Sequence, residues 1–382
     1  MKHSSIPSNI PKISITRNEA INLRLSSIVK ENLELKQNMK ASEEKILKVI
    51  ARRLASISDE TPSQIELTDE PEDSMSLSAA IAYSFPTSVN RIYVTNAGGS
   101  NVSVIDGNTN TVIATVTVGF VPFGVGVNPV TNQIYVANFL GDNVSVIDGS
   151  MNSVIATVTV GSEPFGIGVN FNTNFIYVTN FNNNNVSVVD GSTNTVTATI
   201  TVGTGPMGIG VNPTTNRIYV TNRNENTVSI ISGISNTVIA TVTLGFEPEG
   251  VGVNPIDHRI YMANAGSDHV TILSGFSNII IATVPVGNDP EFGLVVNHQT
   301  NRIYVVNTLE GDVSVIDGNT STVIATIIVG NEPFGAGVNP LTNGVYVANN
   351  GSNNVSVIDG NTNSVVATIT VGSVPFAVGV NP

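Results

Sequence analysis

The chain has no cysteine among its 382 residues, so disulfides, thiolate metal sites, a cysteine nucleophile and haem attachment through C-x-x-C-H are excluded. It has no run of about 18 apolar residues, which removes a transmembrane helix. Pro7, Asn9 and Pro11 break up the start of the chain, which therefore does not read as a secretory signal; cytoplasmic synthesis without general export is the expectation. Basic charge is confined. The last lysine is Lys48, and beyond residue 77 there are five arginines against 17 acids. A surface of that sign repels phosphate backbones, so no nucleic-acid partner is expected.

What the sequence does contain is repetition. A phrase built on I-Y-V-[TA]-N places tyrosines at Tyr93, Tyr135, Tyr177, Tyr219, Tyr261, Tyr304 and Tyr346, 42 residues apart except for one interval of 43. Each period holds four strand-like runs. In the unit from Pro122 to Gly161 these are Phe123 to Pro129, Gln133 to Asn138, Asn143 to Gly149 with its Asp-Gly turn, and the threonine-alternating Ser153 to Gly161. A period of about 40–45 residues with four short strands is the signature of a propeller blade. The expected fold is therefore all-β, a seven-bladed β-propeller spanning 79–382. The glycine-alternating run lies at the axis, where converging strands leave little room, and the threonine-rich run forms the outer edge. Second, third and fourth strands occur seven times from Arg91, and the last inner-strand phrase is Phe376 to Pro382, so a 3+1 ring closure is expected. The stretch Ala79 to Phe85 precedes blade one but lacks the glycines of an inner strand.

Residues 1–57 are different in kind, with eleven of the sixteen Lys and Arg residues against five acids. Thr16-Arg17-Asn18-Glu19 is a capping box, Thr16 and Glu19 satisfying free backbone N–H groups reciprocally. Apolar residues follow at Ile21, Leu25, Ile28, Leu35, Met39, Ile46 and Val49 at alternating spacings near four and three. Either one helix runs to about Ile57 or two form a hairpin turning near Asn38 to Ser42. This short α-helical segment reads as a cap or homo-oligomerising element through 16–57, or as a docking module. Residues 58–78 combine acid, proline and serine and read as a flexible linker.

The I-Y-V-T-N, N-V-S-V-I-D-G and P-F-G-V-G-V-N-P phrases resemble the YVTN-family β-propeller repeat of microbial surface-layer and cell-surface proteins. The resemblance covers about 90–382 and implies the propeller fold; seven-bladed relatives include surface scaffolds, lactonase-like hydrolases and oxidoreductases. Separately, Pro11 to Leu23 followed by Leu25-Ser26-Ser27-Ile28 resembles the N-terminal segment of spore-surface proteins of Bacillus-like bacteria. That resemblance implies assembly onto a spore surface from the cytoplasm.

Chemistry is sparse. His258, His269 and His298 occupy turn positions held elsewhere by Asn or Pro, as solvated substitutions rather than ligands. No Ser/His/Asp arrangement, H-E-x-x-H or phosphate-cradling loop is present, and glycine packing explains the G-x-G pairs. Asn101, Asn143, Asn185 and Asn354 match N-glycosylation acceptors, but strand alternation supplies the same letters. The break in the repeat lies around the proline that opens the inner strand, at Glu163, Glu247, Glu249, Asp289, Glu291 and Glu332. Glu249 stands where other blades have Phe123, Phe165, Phe334 and Phe376, and Glu291 is the extra residue of the 43-residue interval. These acids are expected to ring one mouth of the channel, either as a solvated rim or as a site for a hard cation such as Ca²⁺ or a cationic ligand. Three functions follow: a non-enzymatic surface scaffold binding a protein or surface polymer, an intracellular interaction platform, and a lactonase-like hydrolase using Glu249, Glu291 and Arg302. The scaffold accounts for most of the features.

Overall fold

The structure, a computed structural model, describes residues 90–382. They form seven four-stranded antiparallel sheets, six of them with their strands in chain order from the axis outward. Blade two shows the plan: β4 (Pro122–Asn128) is innermost, then β5 (Gln133–Asn138), β6 (Asn143–Asp148) and the outer β7 (Ser153–Thr159). These bounds lie within two residues of those read from the alternation. Blade one is closed by the far end of the chain. Its β1 (Arg91–Asn96), β2 (Asn101–Asp106) and β3 (Thr111–Thr117) receive β28 (Pro375–Asn381) as inner strand, with Arg91 opposite Asn381. The expected helix at 16–57 with its Thr16–Glu19 cap, the linker 58–78 and the stretch Ala79 to Phe85 lie outside the described residues. Among the described residues no helix is long and apolar enough to cross a membrane.

The core lies between neighbouring sheets. Tyr93, Val102 and Val104 of blade one pack with Ile134, Val136 and Ile147 of blade two, and the same pattern recurs around the ring. The I-Y-V triplet is buried because the central strands are covered on both faces, each buried aliphatic contributing roughly 1.5–3 kcal/mol. At the axis a Cβ on Gly124 would lie 2.2 Å from the Phe165 carbonyl oxygen, so glycine is required where inner strands converge. In the outer strands Val154 and Ile155 are exposed, and a bulge at Ile155 breaks the register of the free edge.

Three polar devices account for most of the conserved-looking letters within the repeat. The asparagine of each N-P or equivalent turn lies at the end of an inner strand, fully or almost fully buried, and reaches the next blade; in six blades it also accepts a bond from the backbone two residues on. Asn128 donates to Asn174 (2.7 Å), Asn170 to Asn216 (2.8 Å), Asn254 to Asn301 (3.0 Å), Asn297 to Asn343 (2.6 Å) and Asn339 to Asn90 (2.7 Å). Asn212 lies 3.1 Å from His258 Nδ1, and Asn381 closes the belt by donating to Asn132 at 2.8 Å. Second, the asparagine of I-Y-V-[TA]-N reaches the following N-V-S: Asn138 donates to Asn143 Oδ1 (2.7 Å) and Ser145 Oγ (2.9 Å). Third, where that phrase has threonine, its hydroxyl joins neighbouring inner strands, as Thr221 does by donating to the Glu249 carbonyl at 2.7 Å.

Candidate functional site

Every inner strand is preceded by a residue in left-handed conformation: Val121, Glu163, Gly205, Glu247, Asp289, Glu332 and Val374, with φ between 46° and 64°. Its carbonyl accepts from the first residue after I-Y-V-[TA]-N, as Val121 does from Phe139 N, and in five blades its N–H is taken by an Asn or Asp side chain. The backbone thus fixes this corner and leaves the side chain free to vary, which is why acids appear at it in four blades.

Just past the proline that follows this corner, the side chains converge on the axis. Phe123, Phe165, Phe292, Phe334 and Phe376 form a connected aromatic cluster, with Phe123 and Phe376 stacked at 4.0 Å and Phe334 and Phe376 at 4.2 Å. Met207 joins it. Phe292 holds this place because the extra residue Glu291 is accommodated by an eight-residue inner strand, β20 (Pro290–Asn297), with an irregular register before Leu294. The cluster covers this end of the axial channel. Below it lie a cavity of about 160 Å³ touching Phe292 and a channel of about 410 Å³ lined by Val125, Ile167, Ile209, Val251, Leu294 and their neighbours.

Glu249, on β16 (Pro248–Val253), is the charged member of this otherwise apolar ring and is 4 % exposed. Its partner is Arg223, whose Nε donates to Glu249 Oε1 at 2.7 Å while Nη2 donates to Glu247 Oε2 at 2.7 Å. Arg223 stands 26 residues before Glu249, the same offset at which Phe139 packs edge-on against Phe165 at 6.1 Å in an earlier blade. An ion pair therefore replaces an aromatic pair at one interblade junction. Arg223 could have been found in the sequence as a charge at a position that is Phe in two other blades; the aromatic cluster could have been found by projecting the repeated Phe onto the axis.

Of the six acids expected at the mouth, four form one sector. Glu247 and Glu249 bind Arg223, while Asp289 and Glu291 lie close enough to perturb one another and Thr308 Oγ1 donates to Glu291 Oε2 at 3.2 Å. Glu163 and Glu332 sit at the equivalent corner of other blades and are not part of this cluster. Burial pushes the Glu291 carboxyl up to about 8, helped by the neighbouring Glu249 and Asp289 charges. Burial also raises Glu249, against the pull of Arg223, and raises Asp289. Arg223 is raised, since Glu249, Glu247 and Glu291 together outweigh its desolvation. Glu249 Oε2 is buried without a hydrogen-bond partner. Among the described residues no group of three or more acidic or histidine side chains is arranged to hold a metal ion.

The remaining candidates are dispersed. Arg302 begins β21 (Arg302–Asn307) and pairs with Asp317 at 2.7 Å; it lies opposite Asn297, at the end of the blade away from Glu291. His258 takes a place in the asparagine belt and meets Phe276 edge-on at 4.5 Å, and His269 Nδ1 lies 2.9 Å from the Ser267 carbonyl oxygen. Burial lowers His298.

No family model and no curated protein matches the chain. Solved structures do. The chain superposes on Kuenenia stuttgartiensis hydrazine synthase with a TM-score of 0.65 at 19 % identity, covering 78 % of this chain and 99 % of that one. A functionally unknown protein from Desulfotomaculum acetoxidans gives 0.68 at 16 %, covering 76 % and 98 %. The dihydro-heme d1 dehydrogenase NirN gives 0.57 at 15 %, covering 75 % and 66 %. The class is settled by this likeness and by the sheets themselves: the chain is a seven-bladed β-propeller. At these identities the likeness is one of fold.

Proposed function

We propose that this is a non-enzymatic, surface-displayed binding module of the YVTN type, carried to a spore or cell surface by its N-terminal segment and presenting the mouth of the propeller to a protein or surface polymer. The observation that carries the reading is how the repeated polar residues are employed. The asparagines, serines, threonines and aspartates of the repeat bond within and between blades, so their recurrence serves ring assembly. Four of the departures from the repeat, Glu247, Glu249, Asp289 and Glu291, gather at one mouth, as expected of a module that binds there. The Bacillus-like character of residues 11–28 supports a spore surface, and the intracellular platform would account for the propeller without it.

The hydrolase reading has less support. Glu249 is committed to Arg223, and Arg302 lies at the far end of its blade, bound to Asp317. Two structural neighbours bear enzyme names, but at 15–19 % identity they bring no reaction to this chain. The test is a reporter fused to residues 1–78 in a sporulating Bacillus-type cell, beside one carrying Thr16→Ala and Glu19→Ala. A ring around the spore that fades in the double variant is the expected result. Diffuse signal in both overturns the spore assignment. Lactone hydrolysis by the full chain, lost in Glu249→Gln or Glu291→Gln, overturns the non-enzymatic one.

A further inference from the structure

We propose that the four-acid sector of the mouth captures a primary ammonium group carried on an aliphatic stem, the chemistry presented by a lysine side chain. The proposal rests on the reading of the propeller as a binding module and specifies what it binds.

Three observations point to this cation. The first is an unsatisfied acceptor. Glu249 is almost completely buried and has one oxygen on Arg223, yet Oε2 has no donor. A buried acceptor left without a donor costs free energy that an N–H brought to it would recover. The second is charge. Arg223 offsets one of the Glu247 and Glu249 carboxylates, leaving an excess negative charge in a sector to which Asp289 and Glu291 also belong. The inner strand of the next blade runs within contact of Gly250 at the Glu291 and Phe292 carbonyls, so the orphan oxygen and the Asp289–Glu291 pair lie on adjoining strands. The third is the apolar neighbourhood, since half-buried Phe292 follows Glu291 and joins the aromatic cluster around the axis.

The same features discriminate among cations. A hard divalent ion wants several converging oxygens and retains its water, whereas here two acids are held by Arg223 and phenylalanines stand alongside. A guanidinium fork needs both oxygens of one carboxylate, and Glu249 has Oε1 already taken by Arg223 Nε. An ammonium has three divergent donors, sits favourably against aromatic faces and carries a stem that can lie on Phe292. The propeller contains no lysine of its own after Lys48 to occupy the place.

The experiment is calorimetric titration of the full chain at low ionic strength and pH 8.5, where Glu291 is ionised. The probes are n-pentylammonium and Nα-acetyl-lysine N-methylamide, with the norleucine counterpart as the uncharged control. Saturable one-site binding of the ammonium probes, absent for norleucine and weakened at least tenfold in both Glu249→Gln and Glu291→Gln, is the expected result. Tighter binding of the lysine derivative assigns the site to a protein side chain; tighter binding of the free amine assigns it to a small molecule. No saturable binding, or binding equally strong in Asp289→Asn and Glu291→Gln proteins with unchanged circular dichroism, overturns the proposal. A reporter ring on the spore without ammonium binding sinks this inference alone, and ammonium binding with a diffuse reporter sinks the surface reading alone.

Discussion

Arg223 and Glu249 exchange an aromatic contact for an ion pair, and the exchange has a measurable consequence. Arg223→Ala leaves a buried carboxylate without its partner. Stability by urea denaturation should fall by about 2–3 kcal/mol, at or below the lower end of what a fully buried broken pair costs, since a third of the arginine side chain remains in solvent. The double variant Arg223→Phe, Glu249→Phe restores the pairing of Phe139 with Phe165 and should recover that loss or exceed it by up to about 2 kcal/mol. Protonation follows from the same sector. Glu291, Glu249 and Asp289 hold protons more tightly folded than unfolded. Their contribution is therefore fully present below the ordinary carboxylate range and is lost as pH rises, for Glu291 through about 8. Melting temperature should decline from about pH 4.5 to pH 8, and Glu291→Gln should flatten that decline. A profile that rises over the same interval would contradict the assignment. None of these interactions follows from the local sequence. The six acids were visible as departures from the repeat, but only the ring geometry brings Glu247, Glu249, Asp289 and Glu291 together and leaves Glu163 and Glu332 apart.

At the scale of elements the strands were legible because the alternation is unbroken and each run ends in its own turn signal. Gln133 to Asn138 reads the same from sequence and structure, and the 43-residue interval becomes the longer inner strand β20. The belt of asparagines was not legible in the same way. The Asn of N-P carries the signal of a turn, whereas its donor bond crosses to a residue 46 positions on in most blades, a distance no local pattern encodes. Asn297→Ala removes both that bond to Asn343 and the acceptor for Gln299 N in a fully buried place, and should cost about 2 kcal/mol in thermal or urea unfolding. The acceptor motifs at Asn101, Asn143, Asn185 and Asn354 have an equivalent structural use. Asn143→Ala should therefore destabilise material that bears no glycan, because Asn138 loses its acceptor and the Gly141 carbonyl its donor.

For the molecule as a whole, one sheet joins the two ends of the described chain. Removing residues 375–382 takes away β28 and with it the inner strand of blade one, the Asn381 bond to Asn132 and the Phe376 member of the aromatic cluster. The truncated protein should lose its cooperative thermal transition and aggregate through the exposed β1 edge, measurable by calorimetry and light scattering. A permutant that joins Pro382 to Asn90 through a short linker and opens between Gly119 and Phe120 keeps every strand pair but makes each blade contiguous. It should fold to the same ring with faster unfolding, because the end of the chain no longer staples two distant segments. The closure also sets how the protein bears a pull. A load arriving from the N-terminal side is transmitted at Asn90 into β1, a strand hydrogen-bonded to β28 on one flank and β2 on the other. Drawing β1 out lengthwise must slide it past both neighbours at once, as in a shear lap, so a tethered propeller would meet traction at one of its mechanically strongest seams.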